Sequence, residues 1–158
     1  MNNNFIIKKA SEIFDDVFMF YPNNIFKDER GKLWEFFRSD EIEKFLNMKY
    51  VVNKISISKK NVLRGLHLNT TTSKLISVLN GKTFHVIIDM RKGSKTHFKW
   101  DSWIFTSENP ITLYVPKGFA NGFFVLEENT IVEYKLEKYY EEYAEEIIKW
   151  NDMRFGIE

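Results

Sequence analysis

Between Tyr50 and Tyr140 the sequence falls into short runs rich in Val, Ile, Phe and Tyr, each closed by turn residues. Runs this short cannot bury the face of a helix, and β-branched and aromatic side chains suit a pleated, half-buried surface. "YVVNKISIS" ends in alternation, with Ile55 and Ile57 on one face and Ser56 and Ser58 on the other. "LISVLNGKTFHVIIDMR" sets two runs around Asn80-Gly81, the strongest hairpin signal in the chain. "DSWIFTSENPITLYVPKGFANGFFVLEENTIVEYKLEKYY" supplies several more. Many short strands with regular turns predict a sandwich or a small barrel.

The flanks add less. "IIKKASEIFDDVFMFYP" reads as an extended arm and a strand, turned by Pro22, Asn23 and Asn24. "FKDERGKLWEFF" reads as strand, turn at Gly31, strand. "SDEIEKFLNM" predicts a short helix capped by Ser39 or Asp40, with Ile42, Phe45 and Leu46 at helical spacing. In the tail "YEEYAEEIIKWNDMRFGIE" we expect a helical turn and then a last edge segment. No repeat divides the chain, so residues 1–158 are expected to form one domain.

Composition excludes several functions. The net charge of +1, with scattered basic residues, gives no reason to expect nucleic acid as a partner. The N-terminal stretch lacks a charged leader followed by a long apolar run, so a signal peptide and a membrane span are not expected, and a cytoplasmic setting is. The absence of cysteine removes thiolate nucleophiles and Cys-based zinc sites.

The chemistry concentrates in "NVLRGLHLNTTTSKL", which places His67, one of three histidines, between Arg64 and Lys74. A metal-binding cupin sets two histidines two apart, then a carboxylate, then a histidine after a Pro-x-Gly turn. Here Leu68 and Asn69 follow His67, and Asn121 ends the later turn "PKGFAN". At most one ligand survives, so no catalytic metal is expected. The retained turn spacing suggests a cupin-type barrel whose interior does something else. No Gly-x-Ser-x-Gly elbow or glycine-rich phosphate loop occurs. What remains is acid–base work, with His67 as a base and two cations suited to an anionic substrate, phosphate above all. Taken alone, the same residues also describe a structural histidine in a solvated charged rim. Alternation puts His85 with Thr83, Ile87 and Asp89, facing the interior as a packed, hydrogen-bonded histidine; His97 falls in an exposed loop.

Several segments then align in order: "DERGKLWE", "NVLRGLH", "SKLISVLNGKTFHVIIDMR", "VPKGFANGF", "EYKLEKYY" and "WND". Together they resemble the dTDP-4-dehydrorhamnose 3,5-epimerase family, from about residue 28 to the end. The resemblance implies a mainly β, cupin-like jelly-roll barrel (a double-stranded β-helix) with a few short helices. It implies a homodimer, often with exchanged strands, and a nucleotide-diphosphate sugar with a C4 ketone as substrate. No metal or diffusible cofactor is implied. By the same resemblance His67 is the general base and Tyr134 the proton donor. Arg30 and Arg64 match diphosphate-binding arginines, Lys74 a lysine near the ketone and phosphates, Tyr140 a phosphate contact and Glu35 a residue of the nucleotide pocket.

The departures are specific. Asn121 stands where a second active-site histidine is common, and an amide does not exchange protons near neutral pH. His85 replaces an aspartate; Leu33 replaces an aromatic of the nucleotide pocket; Val52 and Lys54 replace polar side chains. The aspartate that orients the family's base lies further on than Glu158, so either the chain is cut short or another acceptor holds His67. The expected reaction is inversion at C3, or at C3 and C5, of a dTDP-linked 4-keto-6-deoxyhexose or a GDP-linked 4-keto heptose, for bacterial surface polysaccharide. A cupin-type 3,4-ketoisomerase and a non-catalytic sugar-nucleotide-binding protein are the alternatives.

Overall fold

A computed structural model describes residues 3–140 and 145–157. Two antiparallel sheets lie face to face. The first has six strands, in the order β1 (Phe5–Lys9), β2 (Phe18–Pro22), β10 (Thr112–Val115), β7 (Lys74–Asn80), β12 (Thr130–Leu136), β5 (Val52–Ser58). The second has five: β13 (Glu145–Ile147), β6 (Leu63–Asn69), β11 (Phe119–Val125), β8 (Lys82–Asp89), β9 (Trp100–Thr106). A separate hairpin, β3 (Ile25–Asp28) and β4 (Gly31–Trp34), turns at Glu29 and Arg30, so that Gly31, expected in the turn, instead opens β4 opposite Asp28. The architecture is mainly β and cupin-like, as expected.

Alternation explains the layers. In β8, His85 and Ile87 point between the sheets, while Val86 and Ile88 join Leu66, Leu68, Ala120 and Phe155 in a second apolar cluster on the outer face. The central cluster holds Phe14, Ile76, Ile87, Leu113, Phe119, Phe123 and Val132. Burying each such side chain contributes about 1.5–3 kcal/mol relative to exposure. A third cluster, with Phe20, Ile42, Leu75 and Tyr114, sits where the short helical segment covers the six-stranded sheet.

Three other local expectations need correction. Asn80-Gly81 does turn the chain, with Gly81 at φ 77°, but β7 and β8 do not pair. They enter opposite sheets, β7 between β10 and β12 and β8 between β11 and β9. A turn signal fixes local geometry; the strands' partners here are set by long-range burial in two layers. The predicted helix is one π-helical turn, Ser39–Glu43, then one α-helical turn (α1), Lys44–Leu46. Its N-cap is Arg38, with no side-chain cap bond, and Phe45 is exposed on the surface while Ile42 is buried. His97 is half-buried rather than exposed, because its ring lies 3.8 Å from that of Phe98. The edge segment expected in the tail is β13, paired with β6. Its expected helical turn falls partly on residues 141–144, outside the described residues.

Candidate active site

The open end of the sandwich holds a cleft of about 180 Å³ lined by both sheets. The five-stranded sheet contributes Arg64 and His67 from β6, Asn121 and Phe123 from β11 and Glu145 from β13. The six-stranded sheet contributes Lys54 and Ser56 from β5, Lys74 from β7 and Tyr134 from β12.

Arg64 and His67 are three apart, so strict alternation would turn them to opposite faces. A bulge brings them together. Asn121 pairs with His67 and Phe123 with Arg64, leaving Gly65 and Leu66 opposite the single Gly122. The strands approach so closely there that a Cβ on Gly65 would lie 2.7 Å from Gly122 Cα, and a Cβ on Gly122 would lie 2.7 Å from the Arg64 carbonyl oxygen. Gly65 also has φ 117°, a backbone that side-chain-bearing residues rarely adopt. The glycines of "RGLH" and "ANGF" are thus the local cause of the shared face.

Arg64 donates Nε–H to Ser58 Oγ at 2.7 Å, which anchors its exposed guanidinium at the rim. Asn121, 3% exposed, donates from Nδ2 to the His67 carbonyl oxygen at 3.2 Å, so its amide ties β11 to β6 at His67. Lys74 is buried, and loss of hydration lowers its pKa below the usual lysine value; Glu145 beside it opposes that shift. Tyr134 is pushed up to about 12 by burial, against the smaller pull of Ser56 and Arg64. Its phenol is therefore protonated at neutral pH and able to donate. Glu145 Oε2 lies 3.3 Å from His67 Nδ1, and its Oε1 lies 3.2 Å from Lys74 Nζ. The imidazole contact is a close electrostatic approach rather than an aligned hydrogen bond, and His67 Nδ1 has no other partner among the described residues. Catalytic hydrogen bonds are often long in the absence of substrate.

His85 faces the interior as expected, fully buried, its ring centroid 5.7 Å from each of Phe105 and Phe123. The expected hydrogen bonds are absent: neither ring nitrogen has a partner among the described residues. Burial, and secondarily the charge of Lys74, pushes its pKa down to about 3, so the imidazole is neutral. His85 is a floor beneath Phe123, and it does not line the cleft.

Two predicted binding residues lie elsewhere. Arg30, at the tip of the β3–β4 hairpin, forks onto Asp28 with an Nη2–Oδ2 distance of 2.6 Å. Glu35 is exposed and pairs with Arg38 at 3.5 Å. Neither lines the cleft formed by its own chain. Tyr140 is 65% exposed, with Lys54 Nζ 5.2 Å from its ring centroid, a contact that ties it to the rim. Sequence reasoning missed Glu145 altogether and did not place Lys54 or Ser56 at the site. Glu145 sits in an acidic run with Glu141, Glu142 and Glu146, where nothing in the spacing marks it out. Among the described residues, no three His, Cys, Asp or Glu side chains gather as a metal site.

Comparison with known proteins agrees with this architecture. Residues 12–158 match the family model described as dTDP-4-dehydrorhamnose 3,5-epimerase. The curated enzyme of that name from Salmonella typhimurium is 38% identical over 148 residues, 90% of this chain and 80% of the relative. The one from Neisseria gonorrhoeae is 40% identical over 145 residues, 90% of this chain but only 44% of the relative's length. Among solved structures, dTDP-6-deoxy-D-glucose-3,5-epimerase from Legionella pneumophila, crystallised with dTDP-4-keto-L-rhamnose, superposes with a TM-score of 0.88 at 36% identity, covering 97% of this chain and 82% of that one. By sequence and by fold, the chain belongs to the dTDP-4-dehydrorhamnose 3,5-epimerase family, whose members are isomerases.

Proposed function

We propose that the protein epimerises a dTDP-linked 4-keto-6-deoxy sugar at C3, or at C3 and C5, without a metal. The observation that carries this reading is the placement of His67 on one sheet and of Lys74 and Tyr134 on the other, around one cleft. A C4 ketone acidifies the adjacent C–H bonds. His67 takes the proton, the C–H electron pair becomes the C3–C4 double bond, and the carbonyl oxygen becomes an enolate. Lys74 holds that oxygen's charge, where an oriented cation in a dry site acts most strongly. Tyr134, from the opposite wall, returns a proton to the other face, and the carbon is inverted. Arg64 and Lys54 leave cationic charge at the rim for the diphosphate.

The cleft takes the sugar but is smaller than the usual 300–1,000 Å³ or so of a ligand pocket. We place the rest of the site on a second copy. The β3–β4 hairpin projects with Phe26 and Leu33, 68% and 71% exposed, beside Arg30 and Glu35. In a homodimer that hairpin reaches over the neighbouring cleft, where Arg30 meets diphosphate and Glu35 the nucleoside. The reading includes a cytoplasmic enzyme supplying surface polysaccharide.

Incubation with dTDP-linked 4-keto-6-deoxyglucose in heavy water tests it. Deuterium at C3, or at C3 and C5, with inverted product is expected. A parallel incubation with a GDP-linked 4-keto heptose tests the nucleotide; preference for it would overturn the dTDP assignment. A 3-keto product would mean ketoisomerisation. Binding of both nucleotides without label in either sugar would mean a non-catalytic protein.

A further inference from the structure

Strand β5 sets three polar side chains on one face, Lys54, Ser56 and Ser58, while Ile55 and Ile57 turn outward. Two of the three are engaged at the rim: Lys54 Nζ lies over the Tyr140 ring, and Ser58 Oγ accepts from Arg64. Ser56 lines the cleft between them. Its Oγ is closed to solvent and makes no aligned hydrogen bond among the described residues. Strand register gives it a neighbour. Ser56 stands opposite Val132 of β12, and Lys54 opposite Tyr134. Ser56 and Tyr134 are therefore diagonal neighbours on one face, a spacing that a tyrosine side chain spans. The serine hydroxyl is close enough to the phenol to draw its pKa down, against burial.

A phenol oxygen can both accept and donate. A tyrosine that spends its hydrogen on a protein acceptor has none to give to a sugar carbon. A hydroxyl that donates to the phenol oxygen does the opposite: it leaves the phenol hydrogen free, and its bond strengthens as negative charge grows on that oxygen. We propose that Ser56 is the positioning residue of Tyr134: its hydroxyl donates to the phenol oxygen, turns the phenol hydrogen towards the cleft, and stabilises the phenolate left when that proton passes to the enolate carbon. The new C–H bond takes its electron pair from the enolate, the O–H pair stays on the Tyr134 oxygen, and water returns the proton once the product leaves. The ring is held separately, its centroid 6.4 Å from that of Phe123, so Ser56 sets the hydrogen rather than the ring. This rests on the reading of Tyr134 as proton donor.

The test uses the full chain with tyrosine labelled by ¹³C at Cζ. Among the seven tyrosines, the Tyr134 signal is assigned by its loss in Tyr134→Phe. In Ser56→Ala that signal is expected to move at neutral pH; in Ser56→Thr, which keeps the hydroxyl, it is expected to stay near the wild-type position. With dTDP-linked 4-keto-6-deoxyglucose in heavy water, Ser56→Ala is expected to invert the sugar about tenfold or more slowly, with KM little changed. Deuterium should still enter the recovered substrate at or above the wild-type rate, and Ser56→Thr should restore inversion. Ser56→Val, the shape of threonine without its hydroxyl, carries the same readouts if the alanine variant does not fold. An unmoved Tyr134 signal overturns the proposal. So does exchange that falls together with inversion, which marks general damage to the cleft, and so does a rise in KM at constant kcat, which marks a substrate contact. A threonine variant as slow as the alanine one overturns it too, since the hydroxyl is then not what matters. If wild type exchanges no sugar proton, the epimerase reading fails, yet the tyrosine spectra still decide whether Ser56 holds Tyr134.

Discussion

Lys74 carries its charge in a place nearly closed to water. Burial lowers its pKa, and Lys54 adds repulsion, while Glu145 works in the other direction. In the proposed reaction the protonated form is the one that stabilises the enolate, so activity is expected to be lost as pH rises through this lowered pKa. The alkaline limb of the kcat/KM profile is thus expected below 10.5, the ordinary lysine value, and a pH–rate series measures it. Lys74→Met is expected to reduce kcat by about 10²–10³-fold, the usual effect of deleting one oriented group at a developing oxyanion. Tyr134 gives a different signature. With the phenol pushed up to about 12, it is a donor at neutral pH and not a second base. In Tyr134→Phe, the proposed base His67 is expected still to remove and return protons on its own face. Deuterium incorporation should persist while inverted product falls about a hundredfold, read by NMR of the recovered sugar.

At the scale of the element, the β6–β11 bulge decides whether there is a site at all. Gly65→Ala places a Cβ against the Gly122 backbone at an unfavourable φ. It is expected to destabilise the fold by about 1–3 kcal/mol, as a strained backbone position does, lowering Tm by roughly 2–12 °C. Activity should fall further than the melting shift explains, because Arg64 and His67 no longer share a face. Thermal melts beside kcat/KM separate the two effects. The bulge also shows what sequence reading misses. Alternation identifies the strands but not where it is interrupted, and without the interruption Arg64 and His67 would be on opposite faces. In β5 the alternation is right, yet its apolar face, Ile55 and Ile57, is 59% and 64% exposed, while Ser56 faces the cleft. Pattern distinguishes two faces of a strand; which one is inside depends on strands far away in sequence. Turn chemistry likewise fixed Asn80-Gly81 but not the partners of β7 and β8. Glu145 was hidden because a site carboxylate and a solvated one look alike in an acidic run.

For the whole molecule, His85 makes stability depend on acid. Its folded pKa of about 3 lies below the 6.5 of the unfolded chain, so the unfolded state binds the proton first as pH falls. The contribution is complete above 6.5 and is lost downward towards about 3. At about 1.4 kcal/mol per pH unit, it removes roughly 2 kcal/mol between pH 6.5 and 5. Urea unfolding of wild type and His85→Leu at those two values is expected to show the shallower loss in the variant. The projecting β3–β4 hairpin acts at this scale too. If Arg30 serves a neighbour's cleft, heredity sees the pair of clefts as shared property. Two defective alleles, His67→Asn and Arg30→Ala, are then complementary. When the two proteins are unfolded together and refolded at equal amounts, half the dimers are mixed and one of the two clefts in each is whole, so about a quarter of full activity returns.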